Sequence, residues 1–228
     1  MTFILQVLRS VILSTLLFAA ALLLPAWTLC WERAWVLLAL TVVGTPISMV
    51  VAFRDNPELL RERQKPPFQK DQPLADKLVL APFIVTFYGQ MMSIPLDVFR
   101  WHLLPPPGAV VSALGLGLFV AGWVLITLVF RQNTFAAPVV KHQKERQQRV
   151  IDTGVYAVVR HPMYTGIALM LPGMALWLQS TAGALFSLVP TGLLAVRILI
   201  EENFLRRELT GYTEYTQRVR WRLVPWIW

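Results

Sequence analysis

A chain of 228 residues in which 56% of the side chains are hydrophobic and only 15% are charged has too little polar surface to clothe a soluble domain of its size. Its formal charge of +8 sits in blocks between apolar runs, which excludes nucleic-acid binding by a folded basic surface, because no soluble domain remains to carry one. The single cysteine, Cys30, excludes an internal disulfide, supplies no metal-ligand spacing and reads as a packing residue at the membrane edge.

A hydrocarbon core about 30 Å thick needs roughly 20 helical residues to cross. Residues 3–24, 34–53, 78–99 and 108–130 each meet that length, and a hairpin adds two further runs, 163–178 and 184–200, the first of them short. The expected fold is an all-α integral membrane protein of about six transmembrane helices. The first run exceeds the apolar core of a signal peptide, and Leu29 ahead of Cys30 is too large for a small-residue cleavage site, so the run reads as a retained, lipid-facing anchor. Trp27, Trp31 and Trp35 follow at a boundary where indoles favour the headgroup zone.

In residues 54–77, Pro57 is placed to open a short helix behind an Asn56 cap. The plainer reading rests Leu59 and Leu60 on the membrane interface with the charges in water; the other makes the segment a lid over a site. In the third span Pro82, Gly89, Gln90, Ser93 and Pro95 point to kinking and interhelical hydrogen bonds, with ligand contact as the alternative. Ala113, Gly117 and Ala121 recur every four residues in the fourth span and predict a close-packing face. The basic residues are sorted: six lie in 54–77, six in 131–160 and six from 197 onward, with Arg9 on the same side and only Arg33 and Arg100 opposite. With six crossings, that bias places both termini in the cytoplasm, and the basic face attracts anionic lipid.

Two polar clusters flank the hairpin: Arg160-His161-Pro162-Met163-Tyr164-Thr165-Gly166 before it, and Arg197 with Glu201 and Glu202 at its end. The small, polar turn at 179–183 brings both to one membrane face. Pro162 suits the first position of a helix, which leaves the amides of Met163 and Tyr164 open to a ligand's acceptor atoms. Arg197 lies within an apolar run, and two readings stand level: an intrahelical ion pair with Glu201, or a functional group, since ionisable residues in a span are costly. The tail, with Trp221, Trp226 and Trp228 beside Arg220 and Arg222, suits a segment lying at the interface.

The run Thr153-Gly154-Val155-Tyr156-Ala157-Val158-Val159-Arg160-His161-Pro162-Met163-Tyr164-Thr165-Gly166, then Arg197, Glu201-Glu202 and Gly211-Tyr212-Thr213-Glu214-Tyr215, closely resembles the isoprenylcysteine carboxyl methyltransferase family. The wider group includes membrane phospholipid methyltransferases. The resemblance spans residues 133–225 and implies S-adenosylmethionine bound on the cytoplasmic side, in a pocket formed by the C-terminal half and closed over by the C-terminal segment. The acceptor would enter from the lipid. The chain then divides into a four-helix transmembrane frame, 1–130, and a methyltransferase catalytic region, 131–228.

Carried over position by position, the resemblance makes Tyr156, His161, Pro162, Met163 and Tyr164 cofactor-binding. Gln148, Arg149, Val150 and Ile151 form a further stretch whose residue types differ from the family's. Glu201, with Glu202, would bind the cofactor's polar end, and an upstream polar contact falls on Lys141 or Gln143. Arg197 matches the substrate-side arginine and makes a catalytic pair with Glu201.

Displacement at a sulfonium methyl needs a positioned nucleophile, little water and no metal. A carboxylate is already ionised at neutral pH and can be held by an arginine through paired hydrogen bonds, whereas an amine or thiol benefits from a base. Of the two nearby histidines, His142 and His161, the second is read as occupied with structure. The expected activity is methylation of a lipophilic or membrane-embedded acceptor, foremost the carboxylate of an isoprenylcysteine-like substrate. The alternatives are a phospholipid amine or small-thiol acceptor, a sterol-reductase-like enzyme, and a non-enzymatic membrane scaffold.

Overall fold

The computed structural model describes residues 3–70 and 72–228, and among these every regular element is helical. The first four helices are α1 (Phe3–Ala26), α2 (Glu32–Phe53), the short α3 (Pro57–Arg63) and α4 (Leu74–Leu96). A wide turn at Asp97–Trp101 ends α4, and α5 (Ala109–Gln132) leads into the long polar connection. The hairpin is α6 (Pro162–Trp177), α7 (Thr181–Phe186) and α8 (Leu188–Glu208), and α9 (Tyr212–Arg218) precedes the tail.

Among the described residues, five stretches are long and apolar enough to cross a membrane: α1, α2, α4 with its terminal turn, α5, and α7 with α8 taken together. The chain is an integral membrane protein. At about 1.5 Å per residue, the 16 residues of α6 reach only about 24 Å, so the sixth expected crossing is a short helix buried against its neighbours. The hairpin turn is also tighter than the expected 179–183. Gln179 adopts a left-handed φ of 72°, and the Ser180 side chain already caps α7 by accepting from the Gly183 amide at 2.8 Å.

Gly115 and Gly122 on α5 face Gly166 and Gly173 on α6, where a Cβ on Gly173 would sit 2.7 Å from the Gly115 carbonyl oxygen. Backbones approach this closely only where side chains are missing. The expected face of Ala113, Gly117 and Ala121 instead points outward, with nothing within 4 Å of a Cβ at Gly117. Four-residue spacing found a small-residue stripe, but the buried stripe repeats at seven and includes Ser112 and Phe119. In α4 the bonding expectation holds: the buried Gln90 donates to the carbonyls of Leu171 and Gly183 at 3.2 and 3.0 Å, tying α4 to both arms of the hairpin.

Helix α3 departs from the plainer expectation. Asn56 does cap it, accepting from the Leu59 amide at 3.3 Å, but Leu59 and Leu60 are buried in protein with Val129, Ala136 and Tyr156 rather than resting on lipid. At the opposite end of the bundle, Trp31 is buried edge-on to Phe99 instead of lying among headgroups, and Cys30 is exposed rather than packed. Arg33 donates to the Trp177 carbonyl at 2.8 Å there, and Arg100 lies over Trp27. Both basic residues assigned to that face are thus at the far end from the motif.

The tail also differs from an interfacial segment. The amides of Arg160 and His161 donate to the carbonyls of Trp221 and Arg222 at 2.9 and 3.0 Å, and the Thr165 hydroxyl donates to the Leu223 carbonyl at 2.8 Å. These bonds strap the tail across the entrance to α6. Only Trp226 and Ile227 project from it as large exposed apolar groups beside Val224.

Candidate active site

The motif residues gather at the end of the bundle formed by the start of α6, the end of α8, α9 and the polar connection. They enclose a cavity of about 100 Å³. Gln148, Arg149, Val150, Ile151, Tyr156, His161, Pro162, Met163, Tyr164 and Glu201 all line it, and Tyr212 and Tyr215 of α9 complete the wall.

Several local features set these side chains in place. Gly154 takes a left-handed φ of 59°, and a Cβ there would strike Gln132, whose Oε1 accepts from the Val155 amide at 2.9 Å. The following tight turn aims Tyr156 inward, where its hydroxyl accepts from Asn133 Nδ2 at 2.8 Å. The Tyr215 hydroxyl donates to the Tyr156 carbonyl at 2.8 Å and so latches α9 onto this turn. Burial pushes the phenols of Tyr156, Tyr212 and Tyr215 above their ordinary value. They stay neutral at physiological pH and serve as aromatic walls and hydrogen-bonding groups, not bases. At the head of α6, the Tyr164 amide is already satisfied by the His161 carbonyl at 3.0 Å; of the two amides expected to face a ligand, only that of Met163 is left.

The adjacent acidic residues have different surroundings. Glu201 Oε2 accepts from the Tyr164 hydroxyl at 2.7 Å and lies 3.9 Å from His161 Nδ1, while its other oxygen has no donor among the described residues. Glu202 stands apart from the cavity. Its buried carboxylate receives Arg160 Nε at 2.7 Å, Arg222 Nε at 3.1 Å and His161 Nε2 at 3.3 Å, and Arg160 also donates to the carbonyls of Val219 and Arg220. Glu202 is the knot that fastens the tail, and no free oxygen of it is turned to a ligand.

Of the two upstream candidates, Lys141 lines the cavity, whereas Gln143 is buried and donates to the Phe135 carbonyl at 2.8 Å. The Lys141 ammonium pairs with Glu62 of α3. Burial opposes charge on Glu62, but Lys141 and Lys65 outweigh it and hold the carboxyl below its ordinary value.

A second, larger cavity of about 730 Å³ lies deeper among the helices, walled by apolar side chains of α1, α4, α5, α6 and α8, including Leu17, Phe18, Phe87, Met91 and Met170. Met163 and Tyr164 belong to both cavities. The charged residues that line the larger one are Arg63 and Arg197.

Arg197 does not pair with Glu201 as its spacing allows. Its Nε donates to Asp76 Oδ1 at 2.8 Å and its Nη2 to the Pro138 carbonyl at 2.9 Å. Asp76, fully buried in the first turn of α4, also accepts from Gln72 Nε2 at 2.6 Å and from the Val140 amide at 3.0 Å. Asp76, Glu62 and Arg63 were absent from the sequence-derived site. One signal pointed to Asp76: a buried arginine needs a counter-charge, and if not its helical neighbour then an acid at the edge of another span.

Two cavities that share the Met163–Tyr164 wall thus lie at the head of a short membrane hairpin. Residues 110–210 match the Phospholipid methyltransferase family. The solved structure of the eukaryotic intramembrane Ras methyltransferase ICMT (isoprenylcysteine carboxyl methyltransferase) has the same fold, covering 92% of this chain and 74% of its own at a TM-score of 0.55 and 20% identity. Protein-S-isoprenylcysteine O-methyltransferase B of Arabidopsis thaliana is 30% identical over 153 residues, 64% of this chain and 78% of the relative. A probable protein-S-isoprenylcysteine O-methyltransferase of Oryza sativa subsp. indica is 33% identical over 113 residues, 48% of this chain and 59% of the relative. The chain belongs to the isoprenylcysteine carboxyl methyltransferase family, as its motif run implies.

Proposed function

We propose that this membrane methyltransferase esterifies the carboxylate of an S-prenylated cysteine, using S-adenosylmethionine held in the smaller cavity while the prenyl chain occupies the larger. One observation carries the reading: the cavities share the wall of Met163 and Tyr164, with Glu201 on one side and, among the described residues, only the basic charges of Arg63 and Arg197 on the other. The smaller cavity fits the methyl donor in its donor set. Glu201 offers a carboxylate oxygen that no group among the described residues satisfies, suited to an ammonium group, and Met163 offers an amide left open at a helix start. Bound there, S-adenosylmethionine would supply a methyl on a positive sulfur, which a carboxylate could accept as an ester while the sulfur left neutral.

The chain's residues need move no proton in this chemistry, which agrees with a site whose phenols are held neutral and whose histidine sits between two carboxylates. Arg197, fixed by Asp76, orients the acceptor carboxylate with its remaining donors. The apolar walls exclude water, which strengthens each charged contact. An amine acceptor would meet cations without a carboxylate to draw it in. Within this reading, residues 131–228 supply the donor site, 1–130 supply the frame, and the termini lie in the cytoplasm on the basic face.

Purified protein in nanodiscs, supplied with methyl-labelled S-adenosylmethionine and either N-acetyl-S-farnesylcysteine or phosphatidylethanolamine, tests the proposal. The expected product is a base-labile methyl ester of the first. Base-stable label on the phospholipid amine, with none on the cysteine, would overturn it.

A further inference from the structure

We propose that Arg63, at the end of α3, is a second contact for the acceptor's carboxylate, sharing the wall of the larger cavity with Arg197. The inference rests on reading that cavity as the acceptor site. Its starting point is a charge imbalance. Asp76 neutralises Arg197, with Nε and Nη2 both directed at its carboxylate. Arg63 has no carboxylate within ion-pair distance among the described residues.

Its nearest partners are neutral: the Ala136 carbonyl at 2.9 Å from Nη1, the Met163 sulfur at 3.9 Å from the same nitrogen, and the Phe130 ring 4.1 Å beneath the guanidinium carbon. A guanidinium carries five N–H donors, so most of Arg63's remain unused at the cavity wall. Burial, with added repulsion from Arg197, pulls its pKa down to about 10; it remains a cation at neutral pH and gains from any anion brought to it.

Placement gives that anion a position. Arg63 touches Met163, and the Arg197 guanidinium carbon lies 5.8 Å from the Tyr164 ring. These are the two residues that separate the cavities, so an anion bridging the arginines would lie against the wall behind which the methyl donor binds. Neutralising a part-buried cation that has no carboxylate partner among the described residues favours an acidic head over a neutral or cationic one. Arg63 then serves substrate choice as well as affinity.

The test compares wild type with Arg63→Gln and Arg63→Lys in nanodiscs. It measures KM and kcat for N-acetyl-S-farnesylcysteine, inhibition by that compound's carboxyl-reduced and carboxamide analogues, the Kd of S-adenosylhomocysteine, and the melting temperature. Loss of a charged hydrogen bond predicts a KM increase of about tenfold or more for Arg63→Gln, a smaller increase for Arg63→Lys, and weaker discrimination between the carboxylate and its neutral analogues. The S-adenosylhomocysteine Kd should stay within about twofold of wild type, since Arg63 does not line the donor cavity. A purely structural Arg63, holding Ala136 and Phe130 in place, would instead lower the melting temperature and donor affinity while leaving the KM and the carboxylate preference unchanged; that result overturns the proposal. If Arg63→Gln fails to fold, the Arg63→Lys values decide by the same criteria. Wild type that forms no ester refutes the functional reading and this contact with it, whereas an active wild type and an unaffected Arg63→Gln refute the contact alone.

Discussion

Glu201 and Glu202 are neighbours in sequence on one helix, yet they face different tasks because successive helical positions are about 100° apart. The first turns into the smaller cavity with one oxygen unclaimed among the described residues; the second is buried beneath Arg160, Arg222 and His161. Glu201→Gln should therefore raise the Kd of S-adenosylhomocysteine at least tenfold, as expected for a charged hydrogen bond of about 1.5–3 kcal/mol, with little change in the melting temperature of the ligand-free protein. Glu202→Gln should behave in the opposite order, destabilising the folded state by about 3 kcal/mol or more and opening the tail to proteolysis. Titration calorimetry, thermal melts and limited proteolysis on the two variants separate the roles. A stable, protease-resistant Glu202→Gln protein with lost donor affinity would return Glu202 to the cofactor site that its place in the motif suggested.

At the scale of elements, the site depends on how closely α5 and α6 approach. Gly122 packs directly on the Gly166 carbonyl and on Met170, and Gly166 lies two residues beyond Tyr164, so the spacing of these helices sets the position of the wall between the cavities. Gly117 lies on the same helix with open space around it. Gly122→Ala should destabilise the protein by about 1–3 kcal/mol through overpacking and weaken both substrates, whereas Gly117→Ala should be neutral or slightly stabilising through helix propensity. Equal melting temperatures for the two variants would show that α5 and α6 are free to slide apart. Small residues advertise close packing but not its direction: the exposed stripe of Ala113, Gly117 and Ala121 satisfied the spacing rule as well as the buried one did. Helix α3 was legible as a helix from Asn56 and Pro57, but its docking was not. Leu59, Leu60, Glu62 and Arg63 look like any amphipathic loop until Ala136, Lys141 and Phe130 are brought against them.

For the whole molecule, the proposed division into a frame and a catalytic region is crossed by the ion pairs at both cavities. The long apolar runs and the contiguous 153–166 motif could be read directly, because a span is a local property of composition and the motif's residues reach the cavity from adjoining turns. Pairs such as Arg197 with Asp76, 121 residues apart, and Lys141 with Glu62, 79 apart, could not, because a charge at a loop edge carries no mark of its distant partner. Residues 1–130 therefore do more than supply apolar spans: Asp76 of α4 fixes Arg197 at the wall of the larger cavity, and Glu62 of α3 holds Lys141 at the wall of the smaller. The Asp76–Arg197 contact predicts coupling across the division. Asp76→Asn leaves Arg197 buried without a counter-charge and should cost about 3–5 kcal/mol of stability, with a raised acceptor KM and an S-adenosylhomocysteine Kd close to wild type. Adding Arg197→Gln to Asp76→Asn removes the stranded charge, so the double variant should be more stable than the sum of the single losses allows, by about 0.5–3 kcal/mol of coupling. Thermal or denaturant unfolding of the four proteins measures that difference. Strict additivity would mean that the two side chains act independently and that Arg197 takes its position from α8 alone.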